Sequence, residues 1–182
     1  ANIALGYQSL MSLTTGQGNA AVGHQALRSL TTAGNNAAFG YAALYSNLTG
    51  SNNTAFGSYA LNVSTAGNNA AFCYNTLSRN TTGVWNTAIG TDSSVYNTTG
   101  QFNVAVGSQS LNANTTGSNN TALGLNALFT NVEKVESTAV GYNAMRYADS
   151  AAGNTVTYNT ALGAYALQGS TTAANNTGIN NT

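Results

Sequence analysis

The side chains that could perform chemistry in this sequence are few and widely spaced. They are the carboxylates Asp92, Glu133, Glu136 and Asp149, the histidine His24 and the cysteine Cys73. Acid–base catalysis needs two such groups fixed close together by rigid neighbours, and a nucleophilic cysteine needs a base beside it. Neither arrangement is visible, so we predict no enzyme. One cysteine also gives no disulfide framework and no multi-cysteine metal site, so we expect neither a metal nor a cofactor.

The composition excludes two further classes of function. Only 4% of the 182 residues are charged, against about 25% in an ordinary soluble domain. The cations Arg28, Arg79, Lys134 and Arg146 are dispersed, whereas nucleic-acid binding requires clustered positive charge. No run of apolar residues is long enough to cross a bilayer. We therefore expect a chain that binds no nucleic acid and does not insert into a membrane.

Glycosylation is a second chemistry that the sequence suggests. Nine Asn-x-Ser/Thr sequons are candidate N-glycosylation sites: Asn47, Asn52, Asn62, Asn80, Asn97, Asn114, Asn119, Asn175 and Asn180. The sequons at Asn47, Asn80, Asn97 and Asn114 lie three residues before a turn glycine. We expect this position to be exposed, so that an occupied row would line one edge of the molecule.

Pairs of threonines form a third regular pattern. They are Thr14-Thr15, Thr31-Thr32, Thr81-Thr82, Thr98-Thr99, Thr115-Thr116 and Thr171-Thr172. Such an array of hydroxyl groups is an alternative basis for function, because it could bind ice or a polysaccharide. Against that alternative, the pairs are interrupted at Leu48-Thr49, Ser64-Thr65 and Lys134, and they adjoin glycines that predict a turn.

A short repeat must position all of these side chains. The phrase Asn-x-Ala-apolar-Gly ends at Gly6, Gly23, Gly40, Gly57, Cys73, Gly90, Gly107, Gly124, Gly141 and Gly163. Ser137 replaces the opening asparagine in one copy. The spacing is 17 residues, apart from one interval of 16 and one of 22. A degraded copy follows at Asn176–Asn180, and the chain opens in mid-phrase at Ala1. We predict one repeat array over residues 1–182, about eleven coils that form a segment of a longer fibre.

A unit of this length favours an all-β repetitive solenoid. Seventeen residues are too few for a pair of helices, but they suit two short strands and two turns. The first strand would be Thr-Ala-apolar-Gly and the second would contain the later Ala-Leu, although a short helical turn at Ala-Leu remains an alternative. The longer interval predicts an insertion near residues 147–157.

Stacked coils place equivalent residues in columns. We predict an apolar core column of Leu5, Val22, Phe39, Phe56, Phe72, Ile89, Val106, Leu123, Val140 and Leu162. A second apolar column contains the leucines from Leu10 to Leu167. A structural ladder of side-chain amides should contain Asn2, Asn19, Asn36, Asn53, Asn69, Asn86, Asn103, Asn120 and Asn159. Cys73 takes a glycine place beside the shortened interval, where we expect a partly buried thiol in altered local geometry.

Two departures from the repeat could bear recognition. Five of the eight charged residues fall between Glu133 and Asp149, in either a longer solvated turn or a protruding recognition loop. Trp85, in a turn, could stack on a sugar ring.

A coil this thin encloses little volume, and we expect apolar columns to face an axis shared by identical chains.

The unit N-T-A-Φ-G-x-x-A-L, where Φ is apolar, resembles the head repeats of trimeric autotransporter adhesins. It is also similar to shafts of phage-like tail fibres and of bacterial surface fibre proteins. The resemblance runs from the phrase at Asn2–Gly6 to the phrase at Asn159–Gly163. It implies a left-handed parallel β-roll and a homotrimer with the Val/Ile positions facing inward. The unit length and the Thr-Thr-Gly turn depart from that family's pattern.

These patterns together predict an extracellular structural or adhesive fibre segment, either an adhesin head or a fibre shaft. Its location would be a cell surface, a secreted filament, or the fibre of a virion or injection machine. The expected partner is the chain itself, as a homotrimer or filament, with surface glycans or a host-cell receptor as further candidates.

Overall fold

A computed structural model of the protein describes residues 1–148 and 156–171, and it contains ten three-residue strands. The strands are β1 (Ile3–Leu5), β2 (Ala20–Val22), β3 (Ala37–Phe39), β4 (Thr54–Phe56), β5 (Ala70–Phe72), β6 (Thr87–Ile89), β7 (Val104–Val106), β8 (Thr121–Leu123), β9 (Thr138–Val140) and β10 (Thr160–Leu162). They form one sheet in sequence order. Each strand is the Thr-Ala-apolar part of one repeat, as the sequence predicts.

All neighbouring strands in this sheet are parallel and pair like residue with like residue. Ala55 lies opposite Ala71, and Phe56 lies opposite Phe72, even though 16 residues separate them instead of 17. Each repeat is therefore one coil, and ten strands at a separation of about 4.8 Å make a rod of roughly 45 Å. The predicted β-solenoid is confirmed.

The middle alanine of each strand forms the interior of the solenoid. Successive side chains of a strand point to opposite faces, and the middle one points inward. Ala21, Ala55, Ala88 and Ala122 are at most 1% exposed. They pack against the leucine column of the opposite side, including Leu77. The interior is too narrow for a larger residue at the strand position, so alanine recurs there.

The predicted apolar core column is wrong for the single chain. Its members are Leu5, Val22, Phe39, Phe56, Phe72, Ile89, Val106, Leu123, Val140 and Leu162, all half-buried or exposed. The reason is strand alternation, since each of them follows the inward alanine and therefore points outward. The core consists of the alanine and leucine columns instead.

The predicted second strand is also wrong, and the Ala-Leu segment is a chain of turns. Leu77 and Asn75 have φ angles of +50° and +57°, in the left-handed region. The Asn80 amide donates to the Leu77 carbonyl at 3.1 Å, and the Leu77 amide donates to Ser93 in the next coil at 3.1 Å. Turns and bonds between coils thus alternate, and the side chain of Leu77 is fully buried.

The predicted asparagine ladder is buried apart from Asn2, and it links each coil to the next. The side-chain oxygen of Asn36 accepts a bond from the Asn53 backbone amide at 2.9 Å, and that of Asn53 accepts one from Asn69 at 3.0 Å. The side-chain nitrogen of Asn53 donates to the Ala66 carbonyl at 2.8 Å. These asparagines bond mainly to backbone groups at a corner of the coil, where those groups would otherwise be buried without partners.

A second ladder of asparagines lies at another corner. Asn97 donates to the side-chain oxygen of Asn80 at 2.9 Å, and Asn114 donates to that of Asn97 at 2.7 Å. Each of the three also donates to the glycine carbonyl three residues further on. All three are at most 1% exposed. The buried asparagine side chains therefore hold the Thr-Thr-Gly turn by hydrogen bonds from the interior of the coil.

The thiol of Cys73 is exposed, which contradicts the expected partly buried position. The residue that is missing from the 16-residue interval does not lie next to Cys73. Thr65 bonds to Thr81 in the next coil, as first threonines do elsewhere, and Ala66 lies next to Gly50 in the preceding coil. The missing residue thus falls between Thr65 and Ala66. The φ angle of Cys73 is +106°, whereas the glycines of its column lie between +124° and +140°. The backbone has moved to accept a side chain.

Replacing Cys73 by glycine should stabilise the chain. A non-glycine residue at positive φ costs about 1–3 kcal/mol, and glycine loses about 0.5–1 kcal/mol more in backbone entropy on folding. We expect Cys73→Gly to raise the free energy of unfolding by about 1 kcal/mol, measured by urea denaturation. Cys73→Ala keeps the Cβ atom and should change stability by less than about 0.5 kcal/mol. A destabilised glycine variant would contradict this account.

The insertion lies only partly within the described residues. Asp149 and the inserted residues up to 155 fall outside them, so the predicted recognition loop stays a prediction. The chain rejoins the stack at Val156, which pairs in parallel with Val135. The hydroxyl groups of Ser137 and Thr157 then lie 2.6 Å apart. The column pattern continues past the insertion. The candidate eleventh coil at Asn176–Asn180 also lies outside the described residues.

Candidate functional surface

One exposed surface is the outward side of the sheet, which we call the outer face. It consists of the first and third residues of strands β1–β10. In the third position, Phe39, Phe56 and Phe72 stack with ring-centre separations of 4.4 and 5.5 Å. Phe56, Ile89 and Leu123 remain 40%, 39% and 45% exposed. The outer face thus carries one apolar file along its length.

A file of aromatic rings runs beside the outer face, just after the corner that follows each early strand. His24 stacks between Tyr7 and Tyr41 at 5.2 and 5.1 Å. Tyr41 then meets Tyr59 edge-on at 5.2 Å, and Tyr59 meets Tyr74 at 6.1 Å. Burial raises the pKa of the Tyr59 hydroxyl, and the neighbouring Tyr41 raises that pKa further. A tyrosine hydroxyl is protonated at neutral pH with or without this shift, so it can donate a hydrogen bond.

One pocket of about 200 Å³ opens beside this file. It is lined by Gln25, Tyr41, Ala42, Tyr45, Tyr59 and Asn62. Two of its walls are the rings of Tyr41 and Tyr59, which stand at 68° to each other. The remaining lining is mainly polar and carries no formal charge. The pocket has the size of a small ring rather than of an extended ligand.

The threonine pairs do not form a double array of free hydroxyl groups. The first threonine of a pair donates to the next coil, as from Thr14 to the Thr31 carbonyl and from Thr98 to the Thr115 carbonyl, each at 2.9 Å. Of the second threonines, Thr15, Thr32, Thr82 and Thr99 are exposed, and Thr116 is half-buried. The array expected for ice or polysaccharide binding is therefore reduced to a single file. The pair member Thr172 lies outside the described residues.

The sequons divide into buried and exposed groups. Asn47, Asn80, Asn97 and Asn114 are at most 1% exposed, so the expected exposed row is wrong: these side chains close the turn from inside. Asn62 is half-buried, and Asn175 and Asn180 lie outside the described residues. Asn52 and Asn119 are exposed in one column. In the folded chain, these two offer accessible acceptors for a glycan.

The acidic residues that the structure describes are not brought together into a site, and Asp149 lies outside the described part. The carboxylate of Asp92 accepts a bond from Asn75 at 2.8 Å, while Glu133 and Glu136 lie two to three coils further along the rod. Residues 1–148 and 156–171 contain no group of three or more histidine, cysteine, aspartate or glutamate side chains able to hold a metal. His24 belongs to the aromatic file, and Cys73 stands alone at the surface.

Sequence reasoning missed the pocket, although the sequence carries a signal for it. The second residue after the corner glycine is glutamine in the first two coils, then Ala42, then Tyr59. In the coil of Tyr59, the tyrosine has moved from the first to the second place after the glycine. The small side chain of Ala42, followed in the next coil by the displaced ring of Tyr59, leaves a gap in the column of second residues. Trp85, predicted as a possible sugar platform, is exposed in a different column.

The comparisons with known proteins give no relative for this chain. No protein-family model, no curated protein and no solved structure matches it. Within the described part of the chain, no helix has the length and apolar character needed to span a bilayer.

Proposed function

We propose that this protein is a structural and adhesive segment of an extracellular fibre, with no catalytic activity, and that it self-associates through the outer face. The observation that carries the proposal is the apolar file along this face, from Leu5 to Leu162. Large contiguous apolar surfaces on soluble proteins mark interaction sites. A uniform rod with such a surface along its whole length suits a shaft or an adhesin head.

A second copy of the same chain is the partner that fits this face best. Both copies repeat the same side chain at about 4.8 Å along the rod, so two outer faces can pack with every coil in register. The chain has no formal net charge, so copies would not repel one another. Three copies around an axis would bury the apolar file of each, which agrees with the homotrimer implied by the resemblance to trimeric adhesins.

The alternative function, an ice- or polysaccharide-binding array of threonines, is supported less well. The first threonines use their hydroxyl groups between coils, as Thr98 does, and a single remaining file offers a narrow surface. The proposed location is a cell surface, a secreted filament, or the fibre of a virion or injection machine. Surface glycans or a host-cell receptor are the proposed external partners.

The solution mass of the protein tests the self-association. We expect three chains of 18.4 kDa, and the double substitution Phe56→Thr with Ile89→Thr should shift the mass to one chain. Threonine preserves the strands because it is β-branched and already occurs in them. Light scattering coupled to size-exclusion chromatography gives this mass.

The matched control removes exposed aromatic rings from a different column. The double substitution Trp85→Asn with Phe102→Asn introduces asparagine at two positions of a column that already contains Asn52 and Asn119. These rings are 57% and 54% exposed, so the control removes more exposed apolar surface than the outer-face variant. The control should keep the mass of the unaltered protein. A single chain in the unaltered protein, or equal dissociation of both variants, would refute the outer face as the interface.

A further inference from the structure

The pocket beside the aromatic file arises from a gap in one column of side chains. The second residues after the corner glycines lie above one another, and Gln25 donates to the side-chain oxygen of Gln8 at 2.8 Å. In the next coil this place belongs to Ala42, whose side chain is too short to continue the amide ladder. Tyr59 follows in the coil beyond. The missing side chain therefore leaves the space between Gln25 and Tyr59 open.

The polar groups around this space are held in place by the fold. Asn62 donates to the Ala42 carbonyl at 3.0 Å, which leaves its side-chain oxygen as an acceptor. The Tyr45 hydroxyl accepts a bond from Arg28 at 3.0 Å and keeps its own proton to donate. Within the described part of the chain, the side-chain oxygen of Gln25 has no hydrogen-bond donor. Gln25 and Asn62 thus each offer an acceptor to the gap, and Tyr45 offers a donor.

The apolar part of the pocket consists of ring surfaces. Tyr41 is 44% exposed and Tyr59 is 38% exposed, so both rings are open to a ligand. Because they stand at 68°, a ligand that lies flat on one ring meets the edge of the other. Pockets of this kind, with aromatic walls and a few fixed polar groups, are typical of small-ligand sites.

We propose that this pocket binds one pyranose ring of a neutral glycan. A pyranose has an apolar C–H face that can stack on an aromatic ring, and its rim carries hydroxyl groups that both donate and accept hydrogen bonds. The amides of Gln25 and Asn62 and the Tyr45 hydroxyl match such a rim. The lining holds no charged side chain to pair with an anionic ligand, and Arg28 already bonds to Tyr45 and to Gln8.

This inference deepens the adhesive part of the proposed function and depends on it, but it does not depend on the outer face. The pocket lies beyond the corner glycine Gly40, on the next side of the coil. One shallow site should bind weakly, with a Kd of about 1 mM, equivalent to about 4 kcal/mol. A trimer would present three copies, so that a surface dense in glycans would be held by avidity.

The substitution Ala42→Gln tests the pocket with little risk to the fold. Ala42 has a φ angle of +52°, and Gln8, Gln25 and Gln109 adopt +54° to +60° in the same column. Glutamine at this place would continue the amide ladder from Gln25 and fill the gap. The probe is methyl β-galactopyranoside, chosen for its unbroken C–H face, and its binding is followed by saturation-transfer NMR. We expect the variant to weaken binding at least tenfold.

Gln109→Ala is the matched control, because it makes the reciprocal change in the same column far from the aromatic walls. It should bind the probe like the unaltered protein. Equal binding by the unaltered protein and by Ala42→Gln would overturn the proposal, as would no binding of the probe at tens of millimolar. Binding only of a carboxylated sugar would overturn the neutral class. The solution mass of Ala42→Gln, which should be unchanged, separates failure of this site from failure of the outer face.

Discussion

Replacing Gly107 by alanine should destabilise the solenoid by about 3–5 kcal/mol, from backbone strain and a steric clash together. Gly107 has a φ angle of +131°. A Cβ atom placed there would lie 2.5 Å from the Gly124 carbonyl oxygen and 2.6 Å from its carbon. The atoms in the way belong to the backbone of the next coil and not to a movable side chain. The coil must therefore shift, and its bonds to both neighbours weaken.

Two other positions of the same column separate strain from clash. Cys73 already carries a Cβ atom at a shifted φ of +106°, so Cys73→Ala should be nearly neutral. Gly163 has a φ of +124°, with none of the described atoms within 4 Å of its added Cβ. Gly163→Ala should therefore cost only the strain of about 1–3 kcal/mol. Urea unfolding followed by circular dichroism gives all three values, and a Gly107→Ala value no larger than that of Gly163→Ala would contradict the stacked geometry.

Replacing Asn97 by alanine should destabilise the chain by about 3–5 kcal/mol, because it breaks the second ladder in the middle. Asn97 donates to Asn80 and to the Gly100 carbonyl, and it accepts from Asn114. All of these groups are buried. The side-chain oxygen of Asn80 would lose its donor, and a buried polar atom left unpaired costs about 1–3 kcal/mol by itself.

An exposed asparagine provides the control for this ladder. Asn52 donates to the side-chain oxygen of Asn68 at 3.2 Å on the surface, and its φ angle is +62°. Glycine adopts this φ without strain, so Asn52→Gly should change the free energy of unfolding by less than about 0.5 kcal/mol. Thermal unfolding should therefore distinguish the two variants by several degrees. Equal melting temperatures would show that the buried ladder contributes little.

The period of the solenoid was predictable because it depends on sequence spacing alone. The direction of side chains within each strand was not. In Thr-Ala-Phe both Ala55 and Phe56 are apolar, and alternation alone does not say which of them points inward. The interior volume decides, because two sides this close together admit only a methyl group opposite the leucines. The constancy of alanine at the middle position, against varied residues at the third, was the available signal.

The turns opposite the sheet were missed for a different reason. Residues such as Leu77 and Gln25 rarely adopt positive φ, so their identity predicts strand or helix rather than left-handed turns. The bonds between coils hold them in that conformation, and those bonds appear only when the coils are stacked. Similarly, Asn97 and Asn52 both lie in sequons, but one is buried and the other exposed. Leu13 and Leu30, which occupy the Asn97 column in the first coils, indicated that this column faces inward.

The central claim is that each 17-residue phrase adds one coil with equivalent residues directly above one another. Distances between nitroxide labels at the positions of exposed second threonines test this claim most directly. The labelled chain carries Cys73→Gly and is diluted with unlabelled chain. Thr32 and Thr99 are four coils apart and Thr15 and Thr99 are five, so we expect backbone separations of about 19 and 24 Å, or about 4.8 Å per coil. Broad distributions, or distances that do not increase by one strand spacing for each added phrase, would contradict the account.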